Sequence, residues 1–168
     1  TAARMRLGII SDTHGLLRPE VFAVFAEVDH ILHAGDIGSL ALLTELEAIA
    51  PVTAVCGNCD DWEVRHRVPR VVERRIEGLD FVLLHGDQVG SPTPALLHAA
   101  YPGAEVIIYG HTHRPLLTTL ERLTPATVIT AGELQRHPKA DEEFGFDNPQ
   151  TSLELQQGDS RTQLKFGG

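Results

Sequence analysis

The sequence predicts an α/β domain, on three observations. Short runs rich in Val, Ile and Leu alternate with longer amphipathic stretches, the pattern of layered sheets and helices. Five of those short runs end on a cluster of Gly, Asp, Asn or His, as expected where sheet strands open onto ligand-binding turns. The 168 residues are 42% hydrophobic and 22% charged, enough to bury a core without disulfide staples. A single domain over residues 1–168 is therefore expected, with the residues ahead of Met5 set aside.

The elements follow in order. Arg6 to Ile10 is an apolar run that reads as a first buried strand, ending at Ser11-Asp12. Pro19 suits the first turn of a helix to Ala26, with Val21, Phe22, Val24 and Phe25 as its apolar residues. His30 to His33 is a second strand running into Gly35-Asp36. Ser39 can N-cap a helix reaching about Ile49, with Leu42, Leu43, Leu46 and Ile49 on one face. Val52 to Cys56 is a third strand, leading to Gly57-Asn58. Arg70 to Ile76, Gly78 and Leu79 to Leu84 read as a β-hairpin delivering His85-Gly86. Thr93 to Tyr101 is a helix stopped by Pro102-Gly103, and Glu105 to Tyr109 a strand ending at Gly110-His111. Leu116 to Leu123, Val128 to Thr130, Ser152 to Leu155 and Thr162 to Phe166 read as further strands, with a hairpin turn at Gly158-Asp159. The polar stretch Gln135 to Gln150 reads as a long exposed loop.

Composition narrows the function. A net charge of −9 argues against general nucleic-acid binding, which needs clustered Lys and Arg. It is compatible with a small phosphorylated substrate, because bound cations would dominate the field of a site. No apolar run approaches the roughly 20 residues of a membrane span, and no signal-peptide core precedes Ser11. Two cysteines, Cys56 and Cys59, are too few for a disulfide scaffold. A cytoplasmic location is expected.

The strand-end clusters are Asp12-Thr13-His14, Gly35-Asp36, Gly57-Asn58-Cys59-Asp60, His85-Gly86 and Gly110-His111-Thr112-His113. Imidazole and carboxylate groups gathered in one crevice make a transition-metal site. Singly, the residues say little: Asp12 or Asp36 reads as a cap, Asn58 as a turn residue, a lone His as surface or core. Residue frequencies give roughly 0.5 chance matches to D-x-H but only roughly 0.01 to G-N-x-D and 0.04 to G-H-x-H. The ordered set, each member at a strand end, is what carries the inference.

That series of D-x-H, G-D, G-N-x-D, H-G and G-H-x-H resembles the calcineurin-like metallophosphoesterases, in particular their small single-domain bacterial and archaeal phosphodiesterases. The resemblance spans Met5 to about Pro115. It implies a four-layer α/β/β/α sandwich with two metal ions at the strand ends. It assigns Asp12, His14 and His113 to one ion, Asn58, His85 and His111 to the other, and Asp36 as the bridge. The expected cofactors are two divalent transition-metal ions, Mn²⁺ first, with Fe, Ni²⁺ or Zn²⁺ also suited to the donors. The implied activity is hydrolysis of small phosphodiesters by an activated hydroxide. The alternatives are a phosphomonoesterase, a nucleotide pyrophosphohydrolase, or a non-catalytic metal-binding scaffold of the same fold. No membrane partner is expected, and homo-oligomerisation is left open.

Two departures from the family pattern bear on catalysis. Cys59 stands where much of the superfamily has His, which removes an imidazole that assists the leaving group, while Asp60 matches the aspartate that supports that imidazole. Cys59 and Asp60 are the expected catalytic positions. Thr130-Ala131-Gly132-Glu133 replaces the usual N-P-G-S, so substrate access differs there. Arg65, Arg67 and Arg70 read as solvated charge or as a phosphate-facing rim. His33, just ahead of Gly35-Asp36, reads as core packing or as a support that orients a ligand through its ring N–H.

Overall fold

The computed structural model describes residues 5–113 in full and, beyond them, the backbone of four strands at 116–120, 126–130, 152–157 and 160–166. The first half builds β1 (Met5–Ile10), α1 (Pro19–Val24), β2 (His30–His33), α2 (Leu40–Glu47), β3 (Val52–Ala54) and α3 (Trp62–Arg67). The second builds β4 (Val71–Ile76), β5 (Leu79–Leu84), α4 (Pro94–Ala100), β6 (Val106–Tyr109), β7 (Leu116–Leu120), β8 (Ala126–Thr130), β9 (Ser152–Gln157) and β10 (Ser160–Phe166).

The strands form two five-stranded sheets, ordered β3-β2-β1-β10-β9 and β4-β5-β6-β8-β7. In the first sheet β3, β2, β1 and β10 run parallel and antiparallel β9 closes one edge. In the second, β5, β6 and β8 run parallel between antiparallel β4 and β7 at the two edges. Alternation along the strands decides the layers, because successive side chains face opposite sides of a sheet. Leu7 and Ile9 of β1 and Leu32 of β2 face Phe81 and Leu83 of β5 and Ile108 of β6, making the core between the sheets. The other face of the first sheet carries Ile10 and Ile31 under Phe25, Leu42, Leu46 and Val64 from the helical side. The other face of the second sheet packs Val82, Leu84 and Ile107 against Leu97 of α4. This is the expected α/β/β/α sandwich.

Caps explain the helix starts. The Ser39 hydroxyl accepts from the Leu42 amide at 3.3 Å, and Thr93 accepts from the Leu96 amide at 3.2 Å. The hairpin between β4 and β5 turns through Glu77 (φ 49°) and Gly78 (φ 83°), both left-handed, as a tight two-residue turn requires. The third strand stops at Ala54, short of the expected Cys56, and of the strand expected from Leu116 to Leu123, residues 121–123 lie outside the described residues. One helix, α3, was not expected. It has six residues and one buried apolar side chain, Val64, too little for a periodic pattern. The Asp61 carboxylate nevertheless caps it, accepting from the Val64 amide at 3.0 Å. Residues 131–151, and with them Ala131 to Glu133 and the Gln135 to Gln150 loop, lie outside the described residues, as do Gly158 and Asp159 of the last turn.

Candidate metal centre

The parallel strands β1, β2 and β3 in one sheet and β5 and β6 in the other deliver their carboxyl ends to one edge of the sandwich. The loops after β1 and β2 continue the pairing of the strands. Asp12 N–H donates to the Gly35 carbonyl (2.9 Å), His14 N–H to Asp36 (3.0 Å) and Gly15 N–H to Ile37 (2.7 Å). The Gly110 amide donates to the His85 carbonyl at 3.0 Å, joining the last two loops in the same way.

Among the described residues, six non-glycine residues have positive φ, and five are sequence-expected ligands: Asp12 (54°), His14 (47°), Asp36 (51°), His111 (71°) and His113 (54°). Such backbone is costly and persists where the surroundings over-determine it, which is typical of functional sites. Two glycines allow the loops to close. A Cβ on Gly57 would land on Asp36 Oδ1, and one on Gly110 would land on Ser11 Oγ.

Burial is graded across the site. Asp12, Asp36 and His85 are buried, while His14, Asn58, Cys59 and His113 are exposed, so the donors open to solvent on one side. The His85 Nδ1–H donates to the Ala34 carbonyl at 2.8 Å, because a carbonyl can only accept. Its Nε2 therefore faces Asp36 Oδ2 at 3.2 Å and Asp12 Oδ1 at 3.9 Å. Neither His85 Nε2 nor Asp12 Oδ1 has a hydrogen-bond partner. His113 Nε2 approaches Asp12 Oδ1 at 3.3 Å. Buried lone pairs converging without a donor between them are costly, and a divalent cation would satisfy them together.

The titration behaviour points the same way. Burial raises the Asp12 pKa above its ordinary value, outweighing the Ser11 hydroxyl and the neighbouring histidines that favour its anion. Burial also disfavours the Asp36 anion, but the His85 imidazole beside it and the hydrogen bond from the Cys59 amide overcome it and hold Asp36 below the carboxylate range. Burial works against a His85 cation too, yet Asp36, the Ala34 carbonyl and Asp12 overcome it and raise its pKa. The pocket draws positive charge.

Three sets of donor atoms lie within 4.8 Å of one another: Asp12, His14 and His113; His14, Asp36 and Cys59; and Asp12, Asp36 and His85. The first coincides with the group expected to hold one ion. Asp36 occurs in the other two sets, a position suited to a bridge. His111 is in none of these sets, but its ring lies 5.1 Å from that of His85 and its amide donates to Asp12 Oδ2 at 3.2 Å. The Asn58 side-chain amide contacts Cys59 Sγ at 3.5 Å.

Comparison with known proteins identifies the family. The model of the calcineurin-like phosphoesterase superfamily domain matches residues 5–147. The chain belongs to the calcineurin-like phosphoesterase superfamily. It is 43% identical over 127 residues to a probable metallophosphoesterase of Methanothermobacter thermautotrophicus, covering 70% of this chain and 72% of that one. A probable metallophosphoesterase of Methanocaldococcus jannaschii is 36% identical over 121 residues, 67% of this chain and 61% of its own. Among solved structures, an archaeal phosphodiesterase superposes with a TM-score of 0.60 at 28% identity, covering 76% of this chain and 83% of that one. Vps29 of Chaetomium thermophilum shares the fold, with a TM-score of 0.63 at 17% identity over 76% of this chain and 70% of its own. Membership in the calcineurin-like phosphoesterase superfamily implies divalent metal ions, and the orphaned lone pairs of Asp12 and His85 fit them.

Asp60 is held by the backbone of two loops. Its carboxylate is buried, with Oδ2 accepting from Gly57 N–H (2.8 Å) and Oδ1 from Gly38 N–H (2.9 Å). Both oxygens are thus engaged by backbone, bracing the Asn58 loop against the loop after Asp36. Cys59 anchors the same loop, its amide donating to Asp36 Oδ1 at 2.8 Å. Burial, and then the neighbouring Asp36, push the Cys59 thiol pKa up, so it stays protonated at neutral pH. Arg70 pairs with Asp87 at 2.7 Å, and Arg65 donates to the Asn58 carbonyl at 2.6 Å.

His33 also carries more than packing. It accepts from Gly35 N–H at Nδ1 (3.2 Å), which leaves the ring proton on Nε2 to bond the Thr13 hydroxyl (2.9 Å). That hydroxyl donates onward to the Ile37 carbonyl at 3.0 Å. One buried imidazole therefore ties the loop bearing Asp12 and His14 to the loop bearing Asp36. The sequence places His33 beside Gly35-Asp36 but holds no signal for its partner Thr13.

Proposed function

We propose that this chain is a metal-dependent phosphodiesterase acting on small phosphodiesters, built as one metallophosphoesterase domain. The observation that carries it is the convergence of buried, partnerless Asp12 Oδ1 and His85 Nε2 beside ionised Asp36. Asp12, His14 and His113 would hold one ion, and Asn58, His85 and His111 the other, with Asp36 shared between them. Mn²⁺ is the expected metal, with Fe, Ni²⁺ or Zn²⁺ compatible with the same donors. The 28% identical archaeal phosphodiesterase supports a diester substrate. The free thiols of Cys56 and Cys59 fit a cytoplasmic setting, and no helix among the described residues is long and apolar enough to cross a membrane.

Bound divalent cations supply Lewis acidity toward the phosphoryl oxygens and bring the pKa of an attacking water toward neutrality. The protein does the rest. Asp36, kept ionised by the Cys59 amide and His85, offsets the cationic charge. Ala34 fixes the His85 ring so that Nε2 faces the donors. Asp60 holds the Asn58 loop in register. Cys59 offers no imidazole acid, which favours diesters with good leaving groups over monoesters.

Metal analysis of the reconstituted protein, coupled to a panel of activated diesters and monoesters, tests the reading. The expected result is two ions per chain, faster hydrolysis of diesters, and loss of activity on chelation. Full metal occupancy without hydrolysis of any ester, or chelator-insensitive turnover, would overturn it.

A further inference from the structure

One exposed aromatic stands apart from the rest of the surface. Trp62 is 72% exposed, more than Leu16 (50%), Leu96 (49%) or Phe22 (43%), the other large apolar side chains on the surface of the described residues. It opens α3 two residues after Asp60, and its ring stacks on His66 with centroids 4.0 Å apart and planes tilted by 36°. Trp62, Arg65 and His66 stand at i, i+3 and i+4, so they share one face of the helix. That face adjoins the candidate metal centre, because the Arg65 guanidinium donates to the carbonyl of Asn58 at 2.6 Å.

Charge distinguishes this face as well. In a chain of net charge −9, the last turn of α3 is Arg65, His66 and Arg67. Such a basic turn complements an anionic phosphoester. A ring held on one side by His66 and otherwise in water is a ready stacking surface. A protein partner would need roughly 800 Å² of buried surface on each side, whereas Phe22 and Leu96 sit on other helices and Trp62 stands among Glu63, Arg65 and His66.

We propose that the Trp62–His66 stack is a substrate platform that receives a flat aromatic group carried by the phosphodiester, an aryl ester or a nucleoside. This rests on the phosphodiester reading above and narrows it to the substituent that is not the leaving group. Trp62 is then a specificity-determining residue. It acts by holding the spectator group while the phosphate lies over the metal donors.

The experiment uses the metal-loaded full chain and para-nitrophenyl diesters that differ only in the second ester group: methyl, phenyl or thymidylyl. With a shared leaving group, kcat/KM for the aromatic members should exceed that for methyl. Stacking by one ring accounts for roughly 5- to 150-fold. Trp62→Ala should bring the aromatic-to-methyl ratio close to one, and Trp62→Phe should retain part of it. Because Trp62 is the only tryptophan of the chain, its fluorescence reports occupancy without turnover. Phenylphosphonate or thymidylate should quench it and methylphosphonate should not. Preference for phenyl alone assigns the platform to aryl esters, and preference for both includes nucleosides; either outcome upholds it. Quenching without hydrolysis of any diester would refute the phosphodiesterase and leave the platform standing. An aromatic preference that survives Trp62→Ala, or equal quenching by methyl and phenyl phosphonates, would overturn the platform itself.

Discussion

His33 shows how a single buried side chain can couple two ligand-bearing loops and make the fold acid-sensitive. Burial pushes its pKa down to about 3, with nearby His85 adding to the effect. The folded state holds the ring neutral, while the unfolded chain protonates near pH 6.5. Its contribution is therefore fully present above about pH 6.5 and is lost as pH falls from there towards 3. The loss in metal-free protein should be about 2 kcal/mol between pH 7.5 and 5.0, from about 1.4 kcal/mol per pH unit. Urea unfolding of wild type and His33→Gln at both pH values measures it. The variant should start less stable but lose about 2 kcal/mol less over the interval. Parallel losses in the two proteins would show that His33 does not carry the acid sensitivity.

Loops and short helices position the donors more than the strands do. The strands bring five loops to one edge, and glycine decides how closely those loops approach. Gly57 lies directly over Asp36, where a Cβ would displace the Oδ1 oxygen and crowd the Asp36 amide at 2.7 Å. Gly57→Ala should therefore weaken Mn²⁺ binding by about 10–100-fold, the usual effect of disturbing the support of a ligand. Gly103→Ala is the control, since nothing lies within 4 Å of its Cβ position. Calorimetric titration with Mn²⁺ compares them. Unchanged affinity in Gly57→Ala would mean that the loop yields and that Asp36 is not held by this contact. The helix α3 belongs to the same level of organisation, because its cap at Asp61 and the Asp60 brace just before it set where Asn58 and Trp62 stand.

The two sheets face each other through an apolar core, while their carboxyl ends converge on a cluster of charges that a metal-free protein satisfies poorly. Folding without the ions leaves buried Asp12 and His85 atoms without partners, so metal binding and stability are linked. A cation at about 100 times its Kd should add roughly 2.7 kcal/mol, raising Tm by roughly 5–10 °C for a chain of this size. Thermal unfolding with Mn²⁺ and with a chelator checks this. An unchanged Tm at full occupancy would indicate that the native and unfolded chains bind the ion equally, against a preformed site.

Much of this was legible from residue order alone. Alternating apolar runs gave away β1, β2, β5 and β6, because strand periodicity and burial leave a local pattern. Ser39 and Thr93 marked helix starts, since capping chemistry depends on neighbours only three residues away. The ordered motifs around Asp12, Asp36, Asn58, His85 and His111 pointed to a metal-dependent phosphoesterase, as turns that shape a site need their glycines and ligands adjacent in the chain. Other features depend on contacts between distant segments and leave no such trace. The bond from His33 to Thr13, the backbone brace made by Asp60, and the tautomer that Ala34 imposes on His85 each join loops from different strands. Helix α3 was too short to produce a period, and the exposure of Trp62 depends on which face of that helix the core covers. Composition and spacing determine which groups are available; packing determines which of them meet, with what proton between them, and which are left open to a substrate.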